Sequence, residues 1–413
     1  MLIEIHAIQN HSPANLNRDD LGAPKTCYFG GSLRSRISSQ CLKRSIRMSD
    51  EFKLLLGSRR TRRLALELAG GDEASEQFTK AVNILRICGI APKEQKKKKG
   101  DDENDTEKDE DKSAGLVFVS QEAITGMKQL LENGKNKKDA DLAMEFAKLI
   151  AEKTFAPDMA LCGRMLEPKK PSKGKKDKAE PEEEKDNKAN DPWKGLDLTV
   201  EAALQVAHVI STHEARPEVD YYTAADDVPG KDAGAGFVGE AMFSSACFYK
   251  YFSINWETLV ANLKGNEKLA AHTVGAFIRG AALANPTGKQ NSSAAHNRPD
   301  GILIEIKDSP VSYANAFANP VPSKGERGMV EQSIAQLSQY VNDMDAGYGK
   351  PKERLWFSPN LRHKLTFLEE KKEMLLTKNN FKSLDDELVP ALIKAVGYDW
   401  KEVQKSIVNP EVA

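Results

Sequence analysis

Two stretches of this chain cannot belong to any packed core: KEQKKKKGDDENDTEKDEDK, residues 93–112, and PKKPSKGKKDKAEPEEEKDNKANDPWK, residues 168–194. Nearly devoid of apolar side chains, they bury too little surface to offset the entropy of ordering, so disordered loops are expected at about 93–113 and 168–195. The first holds 7 basic and 9 acidic residues and the second 9 basic and 7 acidic, so together they leave the net charge of the remainder unchanged. Each lysine block lies beside an acidic block that neutralises it, which favours a solvated loop over a nucleic-acid contact.

The segments around these loops carry periodic patterns. SQEAITGMKQLLENG and KKDADLAMEFAKLIAEKTFA place apolar residues at helical spacing, and Glu51 to Leu68 reads as helical too. A helical insertion over residues 51–195 is therefore expected, dividing a body made of residues 1–50 and 196–413. That body alternates: strand MLIEIHAIQ, helix DLTVEAALQVAHVISTH, strand MFSSACFYKYFSIN, helix NEKLAAHTVGAFIRGAALAN, strand GILIEIKD, helix EQSIAQLSQYVNDMDAGYG and strand RLWFS. Strands alternating with amphipathic helices indicate an α+β or α/β core, and 413 residues suffice for two or three structural units.

Several function classes find no support. With 60 Lys plus Arg against 61 Asp plus Glu there is no whole-molecule field, so any polyanion site must be local. The five cysteines, Cys27, Cys41, Cys88, Cys162 and Cys247, include no C-x-x-C pair, which argues against a disulfide framework and a zinc ribbon and fits a reducing compartment. The N-terminus lacks the basic region of a signal peptide, and the run VGAFIRGAALA is short and broken by Arg279, so a soluble cytoplasmic protein with no membrane partner is expected. No phosphate loop, G-x-S-x-G or H-E-x-x-H motif occurs, and no cofactor or metal is expected.

One window is unbalanced. Between Leu21 and Ser49 stand Lys25, Arg34, Arg36, Lys43, Arg44 and Arg47, with no Asp or Glu. With Ser38 or Ser39 as N-cap, Gln40, Lys43, Arg44 and Arg47 share one helix face, and Leu42 and Ile46 fall on the other. Such a face is either simply solvated or holds an anion that relieves its repulsion. Arg34 and Arg36, two apart in a strand-like run, would point the same way from a sheet, and the helix N-terminus itself favours phosphate. Together with Lys25 they turn the reading toward a nucleic-acid backbone.

Elsewhere the signals are weaker. Asp19 and Asp20 are either metal ligands or general bases, or turn formers ahead of Gly-Ala-Pro that pair with Arg18. His208 and His213, five apart on the expected helix, lack a third ligand and read as structural. Arg216 to Phe243 is Gly-rich with strand-like ends, a protruding hairpin carrying Tyr221, Tyr222, Phe237 and Val238; such aromatics serve either local packing or base stacking. Met165 in ALCGRM, and Lys289 and Gln290 in TGKQNSSAAHNRPDG, are further exposed-turn candidates.

Taken in order, HSPANLNRDDLGAPKTCYFGGSLRSRISSQCLKRSIR, ALCGRM, AHVISTHEARPEVDYYTAADD, FSSACFYKYFSIN, SYANAF and SIAQLSQYVNDMDAGYG resemble the CasC family, the repeated backbone subunit of the type I-E CRISPR Cascade complex. The resemblance runs from residue 1 to about 350. It implies an α+β fold: a modified RRM-like (ferredoxin-like) palm, a helical fingers insertion and a β-hairpin thumb, here about residues 216–240. It implies copies polymerised head to tail along one crRNA, other Cascade subunits, a target DNA strand paired to the guide, and a recruited helicase-nuclease that cuts. By the same resemblance Lys25, Arg34, Arg36, Gln40, Lys43, Arg44 and Arg47 hold the guide backbone, and Met165 wedges into the base stack. Tyr221, Tyr222 and Val238 are the thumb's apolar contacts; Lys289 and Gln290 face RNA or a neighbouring copy; Lys324 and Arg327 lie in a further candidate loop. The charged insertions lengthen the fingers relative to the family pattern, the chain beyond about Gly349 matches it poorly, and no RNP aromatic signature is present. The chain is expected to be non-catalytic. The alternatives are a metal-dependent RNA endonuclease using Asp19 or Asp20, and a general single-strand RNA binder.

Overall fold

A computed structural model describes residues 1–53, 55–90, 116–134, 136–168, 191–223, 238–322, 328–369, 371–377 and 380–408. Lys324, Arg327, Phe237 and nearly all of the two charged loops lie outside the described residues. The chain forms two compact units, the first of residues 1–54, 204–260 and 266–413, the second of 55–203 and 261–265. The first opens with β1 (Leu2–Ala14), β2 (Thr26–Phe29), β3 (Ser32–Ile37), α1 (Ser39–Arg47) and α2 (Asp50–Lys53). The second contains β4 (Ser58–Thr61), α3 (Leu64–Leu68), α4 (Glu76–Ile87), β5 (Val117–Ser120), α5 (Gln121–Asn133), α6 (Asp139–Glu152), α7 (Pro157–Cys162), β6 (Arg164–Met165) and β7 (Thr199–Val200). The chain continues through β8 (Leu204–Val206), β9 (Val209–Ser211), β10 (Glu218–Thr223), β11 (Val238–Asn255), α8 (Trp256–Asn262), α9 (Glu267–Leu283), α10 (Gln290–Ser293) and β12 (Gly301–Lys307). It closes with α11 (Met329–Tyr348), β13 (Glu353–Phe357), β14 (Thr366–Glu369), β15 (Lys372–Leu375), β16 (Asn380–Phe381), α12 (Val389–Ala395) and α13 (Trp400–Val408).

The main sheet of the first unit runs β16-β13-β12-β1-β11-β9-β3-β2, with β8 and β10 also paired to β11. Its described pairings are antiparallel except β13 with β16. β1 lies between β11 and β12 and is buried on both faces, so the polar residues that interrupt its apolar run are either hydrogen-bonded or, as His11, held neutral by burial. On one face, Phe252 of β11 packs edge-on against Phe277 of α9, ring centroids 5.4 Å apart. On the other, Ile8, Tyr249, Leu303 and Trp356 form a cluster with Ile334, Leu337 and Val341 of α11.

That second face also carries a buried ionic network. Arg354 donates to Glu305 (2.6 Å) and in a two-pronged fork to Asp345 (2.7 Å each); Lys307 donates to Glu305 and to the Tyr313 hydroxyl (2.6 Å each). Glu4 accepts from the Tyr251 hydroxyl (2.5 Å) and the Val311 N–H (3.0 Å), while burial pushes its carboxyl above the usual range. His6 stacks between these tyrosines, and burial holds its imidazole well below the ordinary histidine range, hence neutral.

The second unit is helical, as its periodicity predicts, with α5 and α6 in the expected places and a core of Leu68, Ile84, Val119, Ile124, Met127 and Phe146. Two expected helices are corrected. Residues 51–68 hold only the short α2 and α3 around β4, which pairs with β5. The segment 196–213 is three short strands, β7 to β9, so His208 stands in the link between β8 and β9 and His213 in the bend after β9. The β-branched residues of VISTH supply the ladder that β3 and β11 need there. Residues 191–195, within the expected 168–195 loop, are held in place: the Trp193 indole donates to the Cys88 carbonyl (2.8 Å) and packs on the core. Among the described residues no helix is long and apolar enough to cross a membrane.

Lys250 in β11 is wholly buried, makes no hydrogen bond to the described residues, and is pushed down to about 8 by burial. At neutral pH native and unfolded chains both hold its proton, so the desolvation cost is fully present. Between about pH 8 and the ordinary lysine range only the unfolded chain holds it, so stability rises with pH through that window. Lys250→Met should raise stability at pH 7 by about 1–3 kcal/mol and flatten the rise above pH 8, read by denaturant unfolding across a pH series.

Candidate nucleic-acid interface

α1 begins at Ser38, whose extended backbone and side-chain oxygen cap the helix by accepting from the Cys41 N–H (3.3 Å). Leu42 and Ile46 are buried, each contributing about 1.5–3 kcal/mol of apolar burial, which fixes the rotation of the helix. Gln40 and Arg44 are therefore exposed, and Lys43 and Arg47 are half-buried at the flanks of the same outward face. No acidic residue lies in the first turn, and the last turn carries Arg44 and Arg47, favourable to the helix dipole. The helix N-terminus is less available to phosphate than the sequence suggests. Ser39 N–H already donates to the His208 Nδ1 (3.1 Å), so two of the first three N–H groups are occupied.

Arg34 is not on this surface. Its side chain is 0% exposed, and its guanidinium donates to the carbonyls of Ser211 and Thr212 (3.1 Å each), Phe317 (2.8 Å) and Ala318 (3.1 Å). Four backbone dipoles hold the buried cation and leave its terminal nitrogens nothing to offer a guide; Arg34 stitches β3 to two loops. Arg36, two residues on, is half-buried, with its Nε 3.4 Å from the Thr26 carbonyl and Nη1 3.5 Å from His208 Nδ1. Lys25 is half-buried beside it, its carbonyl accepting from the Arg36 N–H (2.8 Å).

An open cavity of about 510 Å³ adjoins the helix, lined by Arg18, Asp19, Asp20, Cys41, Arg44 and Gly288 among others. Asp19 is a turn former: its Oδ1 accepts from the Leu21 and Ala23 N–H groups (2.9 Å each). Gly288 is required where its loop meets the 15–16 backbone, since a Cβ would lie 2.5 Å from the Leu16 carbonyl oxygen. Among the described residues no group of three or more His, Cys, Asp or Glu could hold a metal ion. Lys289 sits in the left-handed region (φ 52°) with an exposed side chain. Gln290 turns inward, its amide donating to the Pro286 (3.0 Å) and Ala295 (3.3 Å) carbonyls, so it shapes the loop instead of presenting itself.

Within the Arg216–Phe243 segment, β10 and β11 pair antiparallel from Glu218↔Phe243 to Thr223↔Val238. Alternation puts Tyr221 and Tyr222 on opposite faces, so the two tyrosines do not contact one ligand side by side. Val219 (41% exposed), Tyr221 (67%) and Met242 (42%) share an exposed apolar face; Val219 and Met242 went unnoticed in the sequence, where neither stands in an aromatic motif. In the second unit, Met165 is 75% exposed in β6 while Arg164 is buried and donates to the Ile150 carbonyl (2.6 Å). Gly163, at φ 72° and tight against the Val200 carbonyl, sets that turn.

A family model of CT1975-like proteins matches residues 3–175 and 191–386. A solved chain described as "CRISPR RNA-guided surveillance complex, pre-nicking" superposes with a TM-score of 0.72 at 25% identity, covering 96% of this chain and 100% of that one. A second, "CRISPR RNA-guided surveillance complex", has a TM-score of 0.54 at 22% identity with coverage of 96% and 100%, and supports the fold. No curated protein matches the chain.

The two roles assigned to basic residues separate experimentally. Arg34→Ala removes four hydrogen bonds to backbone carbonyls and should lower unfolding free energy by about 3 kcal/mol or more, whereas Lys43→Ala should change it by less than about 0.5 kcal/mol; equal losses in denaturant melts would contradict the assignment.

Proposed function

The chain belongs to the CT1975-like protein family, and from that premise we propose that it is a non-catalytic, crRNA-binding backbone subunit of a type I-E Cascade complex. The observation that carries the proposal is the outward face of α1: Gln40, Lys43, Arg44 and Arg47, oriented by buried Leu42 and Ile46 and without a carboxylate in the helix. A surface of this kind binds phosphate irrespective of sequence, and leaves base edges free for pairing with a target DNA strand. The strand order β12-β1-β11-β9, with α1 following β1 and α9 following β11, supports an RRM-like palm. The exposed apolar face of the β10–β11 hairpin supports a thumb, whose apolar contacts would offset the few kcal/mol lost per unstacked base; Met165, exposed in the second unit, is a separate candidate wedge. Head-to-tail growth along the guide requires a heterologous interface that does not close, and other Cascade subunits and a helicase-nuclease complete the assembly. Of the basic residues, the reading retains Lys25, Arg36, Lys43, Arg44 and Arg47 and releases Arg34 to the fold.

The cavity beside Asp19 and Asp20 favours a second reading, metal-dependent RNA cleavage, although one Asp19 oxygen is already engaged by two N–H groups. Incubation of the assembled complex with complementary RNA and Mg²⁺ separates the two: intact substrate is expected, and cleavage lost in Asp20→Asn would install the nuclease reading. For the principal reading, Lys43→Ala with Arg47→Ala should weaken guide retention and lower the slope of log affinity against log salt by about 1–2. Retention unchanged across the salt series would refute the role of this face.

A further inference from the structure

We propose that Asp20 reads the sugar of the guide: its carboxylate accepts a hydrogen bond from a ribose 2′-hydroxyl and makes the cavity beside α1 selective for RNA over DNA. The proposal rests on the guide-binding reading above and adds what the outward face of α1 cannot supply. Cations on a helix hold the phosphates of either nucleic acid, and the 2′-hydroxyl is what distinguishes the two at a single site.

The cavity of about 510 Å³ adjoins that face through Arg44, which is exposed on α1 and also lines the cavity together with Asp19, Asp20 and Ser45. A strand whose phosphates lie along α1 therefore brings a ribose to the cavity. None of the lining side chains is aromatic, so an unpaired base finds no stacking platform there, and the polar walls suit a sugar. Carboxylates in such a place repel phosphate unless they meet a donor. Asp19 is accounted for by the fold, since one of its oxygens accepts from the Leu21 and Ala23 N–H groups (2.9 Å each). Asp20 is not. Among the described residues its exposed side chain has neither a hydrogen bond nor an ion pair, not even with the nearby Arg18.

The turn that carries Asp20 is closed. Asp19 N–H donates to the Ala23 carbonyl (2.9 Å), Lys25 N–H to the Asn17 carbonyl (2.9 Å) and Asn15 Nδ2 to the Gly22 carbonyl (2.8 Å), so Asp20 is held at the cavity wall without being used by it. A charge-assisted O–H···O⁻ bond from a 2′-hydroxyl gives this carboxylate a partner, whereas a deoxyribose leaves it unpaired beside the phosphates. The resulting preference amounts to about tenfold in affinity.

The full chain, expressed without a CRISPR array and freed of bound RNA at high salt, is titrated in EDTA with labelled single strands of one sequence: RNA, DNA and the 2′-fluoro form, which keeps an RNA-like sugar pucker but cannot donate. The wild type should bind RNA about tenfold more tightly than either other strand, and Asp20→Ala should bring all the affinities to within about twofold of one another. An unchanged ranking in Asp20→Ala overturns the proposal, as does an equal change for every strand, which would make Asp20 a merely repulsive or structural neighbour of the phosphates. A 2′-fluoro strand bound by the wild type as tightly as RNA overturns it by assigning the preference to sugar pucker, and a preference that emerges only when Mg²⁺ replaces EDTA overturns it by assigning Asp20 to a metal. Wild-type protein that binds none of the strands contradicts the function proposed above together with this inference; tight binding of all of them alike leaves that function standing and overturns this inference alone.

Discussion

The first unit is built around one strand that has no solvent face. β1 is hydrogen-bonded on both sides and covered above and below, yet carries Glu4, His6, Gln9 and His11 in its interior. Each must meet a partner or stay uncharged. Glu4 reaches the Tyr251 hydroxyl, His6 approaches the Tyr249 hydroxyl (2.8 Å), and Gln9 donates to the Asn297 carbonyl (2.7 Å). A slip of one residue would turn Glu4 and His6 away from these tyrosine hydroxyls and onto the face of Phe252 and Phe277, so the polar residues help fix the register that apolar residues alone would leave degenerate. With β1 fixed, the places of β11, β12 and the helices after them follow.

Arg34 extends this logic to the edge of the sheet. Its four carbonyl partners hold β3 against the loops after β9 and around Phe317, and β3 leads directly into Ser38 and α1. One arginine of the basic window thus secures the platform on which the others are displayed. The window reads as one charged unit in sequence but divides into two in space: a buried cation that belongs to the fold, and an outward helix face that the proposed function assigns to the guide.

This division marks how far the sequence could be read. Long strands and helices with strong periodicity, β1, β11, β12, α9 and α11, were legible because burial of a stripe or an alternation leaves a direct imprint on residue order. The N-cap was narrowed to Ser38 or Ser39, and the structure assigns it to Ser38, while Leu42 and Ile46 fix the rotation of α1. The short strands β7 to β9 were not: the identity of β8 and β9 comes from hydrogen bonds to β3 and β11, and that of β7 from β6, none of which local periodicity reveals. Arg34 and Gln290 were misread for a related reason, because nothing local reveals that a polar side chain will meet backbone carbonyls from elsewhere.

The account as a whole requires charge to hold one polyanion while the bases remain open. The measurement that meets this claim most directly is co-expression of the chain with a CRISPR array, followed by purification, ribonuclease treatment and sequencing of the RNA that survives. The account predicts protected fragments that derive from the array and lengthen by a constant step as further copies of the chain are bound. Purified protein that carries no RNA, or protects cellular RNA without regard to the array, would contradict it.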